Sequence, residues 1–167
     1  PGLTEKEIVD FPSPVGKSEV MYCDHPEPLT LPRYIEGLRK VTVKGGMFPL
    51  DIHRFIENIA VKTGEELIIP LDLIVSCVER TTRAKKDVPP VSATRIDVKG
   101  EKDGEIVHHI HTFVGSMAGG TALPLALVAI MIARKEIRAK GVFPPEACID
   151  PQAFFDEFAR TRGVVYK

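Results

Sequence analysis

The sequence predicts an α+β fold, mixed α/β in the wider sense, with a partly antiparallel sheet. Residues 91–99 and 105–114 alternate apolar and polar side chains and flank Asp103-Gly104, the pattern of two strands joined by a tight hairpin. Other segments carry apolar residues at every third or fourth position, as amphipathic helices do. Because a hairpin fixes antiparallel pairing, and helices alternate with strands along the chain, the class is α+β or a mixed-sheet α/β domain.

The length predicts one domain. At 167 residues the chain lies within the usual range of about 100–200 residues for a domain that buries its own core. No internal repeat or low-complexity tract divides it. We therefore interpret residues 1–167 as a single domain.

Four strands are predicted from the sequence, and a short run near the end suits a fifth. They are residues 19–23, 40–44, 91–99, 105–114 and 164–166. The turn at Asp103-Gly104 is a strong hairpin signal, because both residue types tolerate the positive φ angles that two-residue turns need.

Four helices are predicted, at residues 51–62, 71–82, 121–140 and 151–162, and residues 31–38 suit a single helical turn. Thr121 suits the cap of the third helix, and Gly141 suits its end. The first three turns of that helix are apolar on every side, so we expect it to be buried on every side. Asp150 and Pro151 are a cap and a first helical residue for the last helix.

Charge and cysteine content exclude several classes of protein. Twenty-two basic and twenty-three acidic residues give a net charge of −1, whereas nucleic acid and anionic membranes attract clustered basic excess. The longest apolar run is too short to span a bilayer of about 30 Å, and no signal peptide is visible. Three widely spaced cysteines suit a reduced, cytoplasmic protein. We expect neither a nucleic-acid nor a membrane partner.

Residues 24–33 are the most informative stretch. They read as a polar loop directly after a strand, and three prolines restrict its backbone. The loop presents Asp24, His25, Glu27 and Arg33 from a stiff frame, which is how binding and catalytic sites are commonly built. The alternative is a rigid edge connection whose charges only keep it solvated, and the residues alone do not decide between the two.

Three further motifs accompany this stretch. In chain order the four are Phe11-Pro12-Ser13-Pro14-Val15-Gly16, residues 24–33, Gly119-Gly120-Thr121-Ala122-Leu123-Pro124, and Gly141-Val142-Phe143-Pro144-Pro145-Glu146-x-x-Ile149-Asp150-Pro151. Together they resemble the C-terminal catalytic region of the saccharopine dehydrogenase and lysine 6-dehydrogenase family, over nearly the whole chain. The resemblance implies a mixed sheet with helices mainly on one face, substrate binding, much of the dimer interface and a lid over the nicotinamide.

The same resemblance implies a cofactor, NAD or NADP, held by an N-terminal Rossmann domain that this chain lacks. A dinucleotide site needs Gly-x-Gly-x-x-Gly between a first strand and a helix, and no such run occurs here. The chain begins Pro1-Gly2 without an initiator methionine, so we expect a piece of a longer polypeptide. We expect this chain alone to bind no cofactor.

The candidate proton-transfer residues all lie in the 24–33 stretch. We prefer His25, because the ordinary pKa of an imidazole lies nearest neutrality, and we keep Asp24 and Glu27 beside it. Tyr34 could orient one of these groups.

Arginines and one helix start are the candidate substrate-binding groups. A planar guanidinium matches a carboxylate with two parallel bonds, so Arg33, Arg80, Arg83 and Arg95 are candidate clamps, each with a plain surface role as the alternative. Arg33 is preferred, since it ends the stiff loop. Gly120 and Thr121 stand where free amides at a helix start favour an anion. There the alternative is an ordinary threonine cap.

No metal site is predicted. His109 and His111 lie two apart on a predicted strand, so both project from one face. Zinc needs three or four ligands, and no Cys, Asp or Glu accompanies the pair at ligand spacing. We expect partly buried, hydrogen-bonded histidines instead.

The leading interpretation is the substrate-binding and dimerisation domain of an NAD(P)-dependent oxidoreductase acting on the C–N bond of an amino acid of lysine or saccharopine type. Its partners would be that amino acid, its own Rossmann domain and a second copy, and it would be inactive without the Rossmann domain. Phe154, Phe155 and Phe158 on the last helix favour the homodimer. The alternative is a free-standing binding or oligomerisation module without catalytic activity.

Overall fold

The computed structural model describes residues 5–47, 70–84 and 91–162. In chain order the elements are β1 (Glu7–Asp10), β2 (Lys17–Tyr22), α1 (Glu27–Tyr34), β3 (Lys44–Gly45), α2 (Leu71–Ala84), β4 (Ser92–Lys102), β5 (Glu105–Gly115), α3 (Met117–Ala133), α4 (Pro145–Cys148) and α5 (Pro151–Arg162). The mixed α+β class is confirmed. The predicted helix at 51–62 and the short strand at 164–166 lie outside the described residues.

The described strands form two antiparallel sheets, one of three strands and one of two. The chain also divides into two compact units. The first unit comprises Pro1–Cys23 and Lys44–Ser116, and the second comprises Asp24–Val43 and Met117–Lys167. Each unit is therefore built from two stretches of sequence.

A three-stranded sheet, in the order β1-β2-β3, belongs to the first unit. Val20 and Met21 of β2 are its buried side chains. The strand predicted at 40–44 is reduced to Lys44–Gly45, because β3 pairs only with Met21 and Tyr22 at the end of β2. Beyond Tyr22 strand β2 ends, so residues 40–43 have no described strand opposite them.

The 11–16 motif is the connection between β1 and β2. The amide of Phe11 donates to the carbonyl of Gly16 over 3.1 Å, which closes the loop. Gly16 has φ +65°, a left-handed conformation that glycine adopts without steric cost. The Ser13-Pro14 peptide bond within the loop is cis.

The hairpin of β4 and β5 confirms the clearest sequence prediction. The strands pair from Ser92 opposite Gly115 to Lys102 opposite Glu105. Asp103 and Gly104 have φ of +55° and +81°, and positive φ at both central residues matches the right-handed twist of the strands. Helix α2 follows Pro70, also as predicted.

Two helix pairs build the second unit: α1 packs against α4, and α3 packs against α5. Leu127 and Met131, one turn apart on α3, are its fully buried apolar side chains. Asp150 caps α5 as predicted, since its Oδ1 accepts the amide of Ala153 over 2.8 Å.

The bounds predicted for α3 are wrong at both ends. The helix begins at Met117 instead of Thr121, directly after Ser116, a favoured cap type. It ends at Ala133 instead of Lys140. The amides of Lys135 and Glu136 donate to the carbonyls of Ile132 and Met131, and Lys135 has φ +63°. These are the two bonds of a Schellman motif, formed here around a lysine.

The expectation that α3 is buried on every side is also wrong. Leu127 is 1% exposed, whereas Leu125 is 72% exposed and Ile132 is 55% exposed. In the described part of the unit, α5 is the element with substantial contacts to α3, so one side of the helix remains uncovered there. Within the described ranges, every helix is too short or too polar to span a membrane.

Candidate functional site

The stretch at 24–33, predicted as a polar loop, is helical from Glu27 to Tyr34. Pro26 precedes the helix and Pro28 lies in its first turn, where backbone amides have no partner within the helix and proline is tolerated. Amides of Leu29 and Thr30 donate to the carbonyl of Pro26 at 2.9 and 3.0 Å. Pro26 and Pro28, which in the sequence suggest a rigid loop, therefore lie at the start of a helix.

Two of the three candidate proton-transfer residues are brought together. His25 Nδ1 lies 3.1 Å from Glu27 Oε2, a hydrogen bond in which a protonated Nδ1 donates. Both side chains are about half exposed, so the pair adds little stability, but it holds the ring and leaves Nε2 free. Asp24 is exposed just before this pair.

The half-buried side of α1 carries Glu27, Thr30 and Leu31. Their i, i+3, i+4 spacing places them on one face of the helix. Since α1 packs against α4, we assign this face to that contact. Glu146 lies on α4 and is itself half buried.

Glu146 is the unusual group of α4. Its Oε1 is fully buried, and no donor among the described residues lies within hydrogen-bond distance of it. Buried carboxylate oxygens are normally satisfied by hydrogen bonds. The sequence quotes Glu146 only as part of the 141–151 motif, and no local pattern marks its oxygen as unpartnered.

Arg33 and Tyr34 lie in the last turn of α1, and both are exposed. Among the described residues Arg33 has no hydrogen-bond or ion-pair partner. About 9 Å of helix axis separates it from Glu27, at 1.5 Å per residue. A guanidinium and a carboxylate paired with His25 thus lie at opposite ends of one short helix.

Gly120 and Thr121 do not form the expected cap. Both lie inside α3, and the Thr121 hydroxyl donates to the carbonyl of Met117 over 2.9 Å. Gly120 is exposed near the start of the helix, so access to the backbone there is open. Arg80 lies on α2 in the other unit and is exposed.

Arg95, a candidate clamp for a substrate carboxylate, instead belongs to a charge cluster on the β4–β5 hairpin, whose other members the sequence did not single out. Arg95 Nε and Nη2 donate to the two oxygens of Asp97 at 2.8 and 3.1 Å. His108 Nε2 lies 2.7 Å from Asp97 Oδ1. Alternation along β4 and the register with β5 place all three on one face, which is the signal that could have found them.

This cluster is electrostatically complete. The hydrogen bonds from the Arg95 guanidinium lower the pKa of Asp97 to about 2, and the His108 ring acts in the same direction. The Asp97 carboxylate in turn raises the pKa of Arg95. Arg95 Nη1 also donates to the carbonyl of Asp10 over 3.0 Å. Every charge of the cluster is therefore paired, and the hydrogen bond from Arg95 to Asp10 links the hairpin to the end of β1.

The expected partial burial of His109 and His111 is wrong, since both are exposed. They lie on the hairpin face opposite to the Asp97 cluster. Across the part of the chain that the structure describes, no three His, Cys, Asp or Glu side chains gather closely enough to hold a metal ion.

Comparisons with known proteins gave no match. No protein-family model matches the chain, and neither a curated protein nor a solved structure matches it.

Proposed function

We propose that this chain is the substrate-binding and dimerisation domain of an NAD(P)-dependent oxidoreductase that acts on the C–N bond of an amino acid of lysine or saccharopine type. One observation carries the proposal beyond the sequence motifs. Helix α1 belongs to the 24–33 motif and α4 to the 141–151 motif, and the two helices pack together in one unit. Motifs more than a hundred residues apart in sequence thus meet in one unit, and Glu146 of the second motif has a buried oxygen without a donor among the described residues.

NAD or NADP, held by an N-terminal Rossmann domain, would accept a hydride from the carbon that bears the amine. The groups of this chain would bind and orient the substrate. Arg33 is exposed and unpartnered among the described residues, as a clamp for a substrate carboxylate must be. His25, held by Glu27, is placed to take the proton from the substrate nitrogen.

The exposed apolar surface supports the proposed protein partners. Ile96, Val98 and Ile106 of the hairpin and Leu125 of α3 are each at least half exposed, and such surface commonly marks an interface. A second copy and the Rossmann domain are the proposed occupants. The proposed fold is a mixed sheet with helices mainly on one face, and the proposed compartment is the cytoplasm.

The gene provides the first test. We expect an upstream reading frame with Gly-x-Gly-x-x-Gly after its first strand, and we expect the encoded protein to reduce NAD⁺ or NADP⁺ only when lysine or saccharopine is present. A reading frame without that motif, or an encoded protein without this activity, would instead favour a free-standing binding or oligomerisation module.

Arg33→Ala tests the substrate clamp in that complete protein. Loss of a charge-assisted bidentate pair is worth about 1.5–3 kcal/mol, so KM should rise roughly 10- to 100-fold with a smaller change in kcat. Arg39→Ala is the matched control, because Arg39 is also exposed but lies beyond the end of α1. Wild-type kinetics for Arg33→Ala would remove this residue from the site.

A further inference from the structure

Two exposed histidines of β5, His109 and His111, are not explained by the charge cluster of the hairpin. They lie two residues apart on one strand, so both rings project from the same face, about 7 Å apart along the strand. The residues opposite them on β4 are Val98 and Ile96, whose side chains cannot form hydrogen bonds. Neither ring has a hydrogen-bond or ion-pair partner among the described residues. Two imidazoles are therefore presented to the solvent from a rigid backbone.

The outer edge of β5 is open to a further strand. Among the described residues β5 pairs with β4 alone. Native sheets protect such edges with charged side chains, prolines or bulges. Strand β4 carries five charged residues, whereas residues 106–115 of β5 contain no Lys, Arg, Asp, Glu or Pro. Ile106 and Ile110 on this strand are 85% and 48% exposed. The edge of β5 therefore has the properties of a strand that pairs with another chain.

The sequence of β5 suits antiparallel pairing with a second copy of the same strand. Next to a two-residue turn the flanking residues exchange hydrogen bonds, so Glu105 and every second residue after it bond to β4. The residues between them, such as Ile110, direct their backbone groups to the open edge. Pairing centred on Ile110 then sets His109 opposite His111 of the second copy. This is a non-hydrogen-bonded position, where opposite Cα atoms lie only about 4.5 Å apart.

Four imidazole rings meet in this register, His109 and His111 from each copy. Opposite residues of paired strands share a face, so all four rings lie on one face of a four-stranded sheet. Imidazole nitrogen is a preferred ligand of Zn²⁺, and a closed zinc site has four ligands in a tetrahedron. One copy supplies two of them, and within the described residues no third His, Cys, Asp or Glu lies close enough to join a metal site. The second copy completes the set.

We propose that two copies of this chain bind one divalent cation between their β5 strands, with His109 and His111 of each copy as its four ligands and Zn²⁺ as the best-fitting ion. The site is incomplete in one copy, so binding of the ion and pairing of the strands stabilise each other. His108 is not a ligand, because it lies on the other face and is held by Asp97. The inference stands apart from the proposed oxidoreductase, since it uses neither α1 nor a cofactor.

The test is zinc titration of the full 167-residue chain after dialysis against EDTA. Sedimentation measures the mass, and elemental analysis measures the bound zinc. We expect a dimer that holds one zinc ion for two chains, and we expect EDTA to remove the ion and to weaken the dimer. Mg²⁺ prefers oxygen ligands and should not bind. Co²⁺ in place of Zn²⁺ should show the strong visible absorption of a tetrahedral site.

His111→Ala removes two of the four ligands from the dimer at once. Groups that only orient a metal ligand are worth about 10- to 100-fold in affinity, so this loss should exceed roughly 100-fold. His108→Gln is the matched control, since it changes a histidine of the same strand on the other face and should leave zinc affinity unchanged. One zinc ion for each chain, no zinc bound at micromolar concentrations, or undiminished binding in His111→Ala would overturn the inference.

Discussion

Two helix–helix contacts in the same unit each contain a buried carboxylate, and they treat it in opposite ways. Where α3 meets α5, Glu157 is buried and its Oε1 accepts from Arg134 over 3.2 Å. Its Oε2 accepts no hydrogen bond but forms an ion pair with Arg160. On α4, the buried Oε1 of Glu146 has no donor among the described residues. Two arginines therefore neutralise Glu157, whereas the described residues supply no hydrogen-bond donor for this oxygen of Glu146.

Neighbouring sequence explains the difference. Arg160 lies three residues after Glu157, on the same helix face. Arg134 follows the last residue of α3, where the Schellman motif ends the helix. The positions three and four residues from Glu146 hold no base: they are Val142, Phe143, Ile149 and Asp150. Residues close in sequence therefore help to neutralise Glu157, whereas those close to Glu146 carry no positive charge.

The largest expected effect is on the stability of the contact between α3 and α5. Leu127→Ala should lower the free energy of unfolding by about 2–5 kcal/mol, because it opens a cavity at a side chain that is 1% exposed. Leu127→Asp should prevent folding, because an unpaired charge would enter the core. Denaturant unfolding followed by circular dichroism measures both.

Leu125→Ala is the control for this pair. It lies two residues away on the same helix, but it is 72% exposed, so its effect should stay within about 0.5 kcal/mol. Equal losses for Leu125→Ala and Leu127→Ala would show that the buried side of α3 is assigned wrongly.

The next effect tests the contrast directly, because the same substitution should have opposite signs at the two glutamates. Glu157→Gln weakens two ion pairs and should lower the free energy of unfolding by about 1–3 kcal/mol. Glu146→Gln removes an unneutralised buried charge and should raise it by about 1 kcal/mol. Unfolding in denaturant at neutral pH measures both, and shifts of the same sign would break the comparison.

The smallest effect concerns a carboxylate that is neutralised but remains in water, Asp97. Its pKa of about 2 lies below the ordinary value of 3.8, so its stabilisation is full above pH 4 and is lost as pH falls toward 2. The contribution is small because Asp97, Arg95 and His108 are all partly exposed. Arg95→Gln should raise the pKa of Asp97 toward its ordinary value, as followed by the carboxyl resonance in a pH titration.

Lys99→Gln is the control for that titration, since Lys99 is exposed on the same face of β4. It should leave the pKa of Asp97 nearly unchanged. A low pKa of Asp97 that survives Arg95→Gln would mean that another group holds the carboxylate.

The elements that the sequence predicts best are those decided by neighbouring residues. The hairpin follows from Asp103 and Gly104, which adopt the positive φ angles of the turn, and α5 follows from its Asp150 cap. The end of α3 is missed because Lys135 takes the left-handed position that glycine usually signals. The helical turn predicted at residues 31–38 overlaps only the end of α1. The start of α1 is missed because prolines fit the first turn of a helix as well as they fit a loop.

The candidate site likewise contains one feature that local sequence predicts and one that depends on packing. The pairing of His25 with Glu27 involves residues two apart, and the sequence places both in one site. The unpartnered oxygen of Glu146 depends on helices that lie more than a hundred residues apart in the chain. Because burial without a partner is a property of packing, no local pattern reveals it.

The bond from Arg95 to the carbonyl of Asp10 joins residues that are 85 positions apart, whereas the hairpin that carries Arg95 closes over two residues. A hairpin forms in about 1–10 μs, and closing a long loop costs entropy before its contacts repay it. The hairpin should therefore form early in folding, and β1 should join it late. Arg95 thus lies on the boundary between the early and the late parts of the first unit.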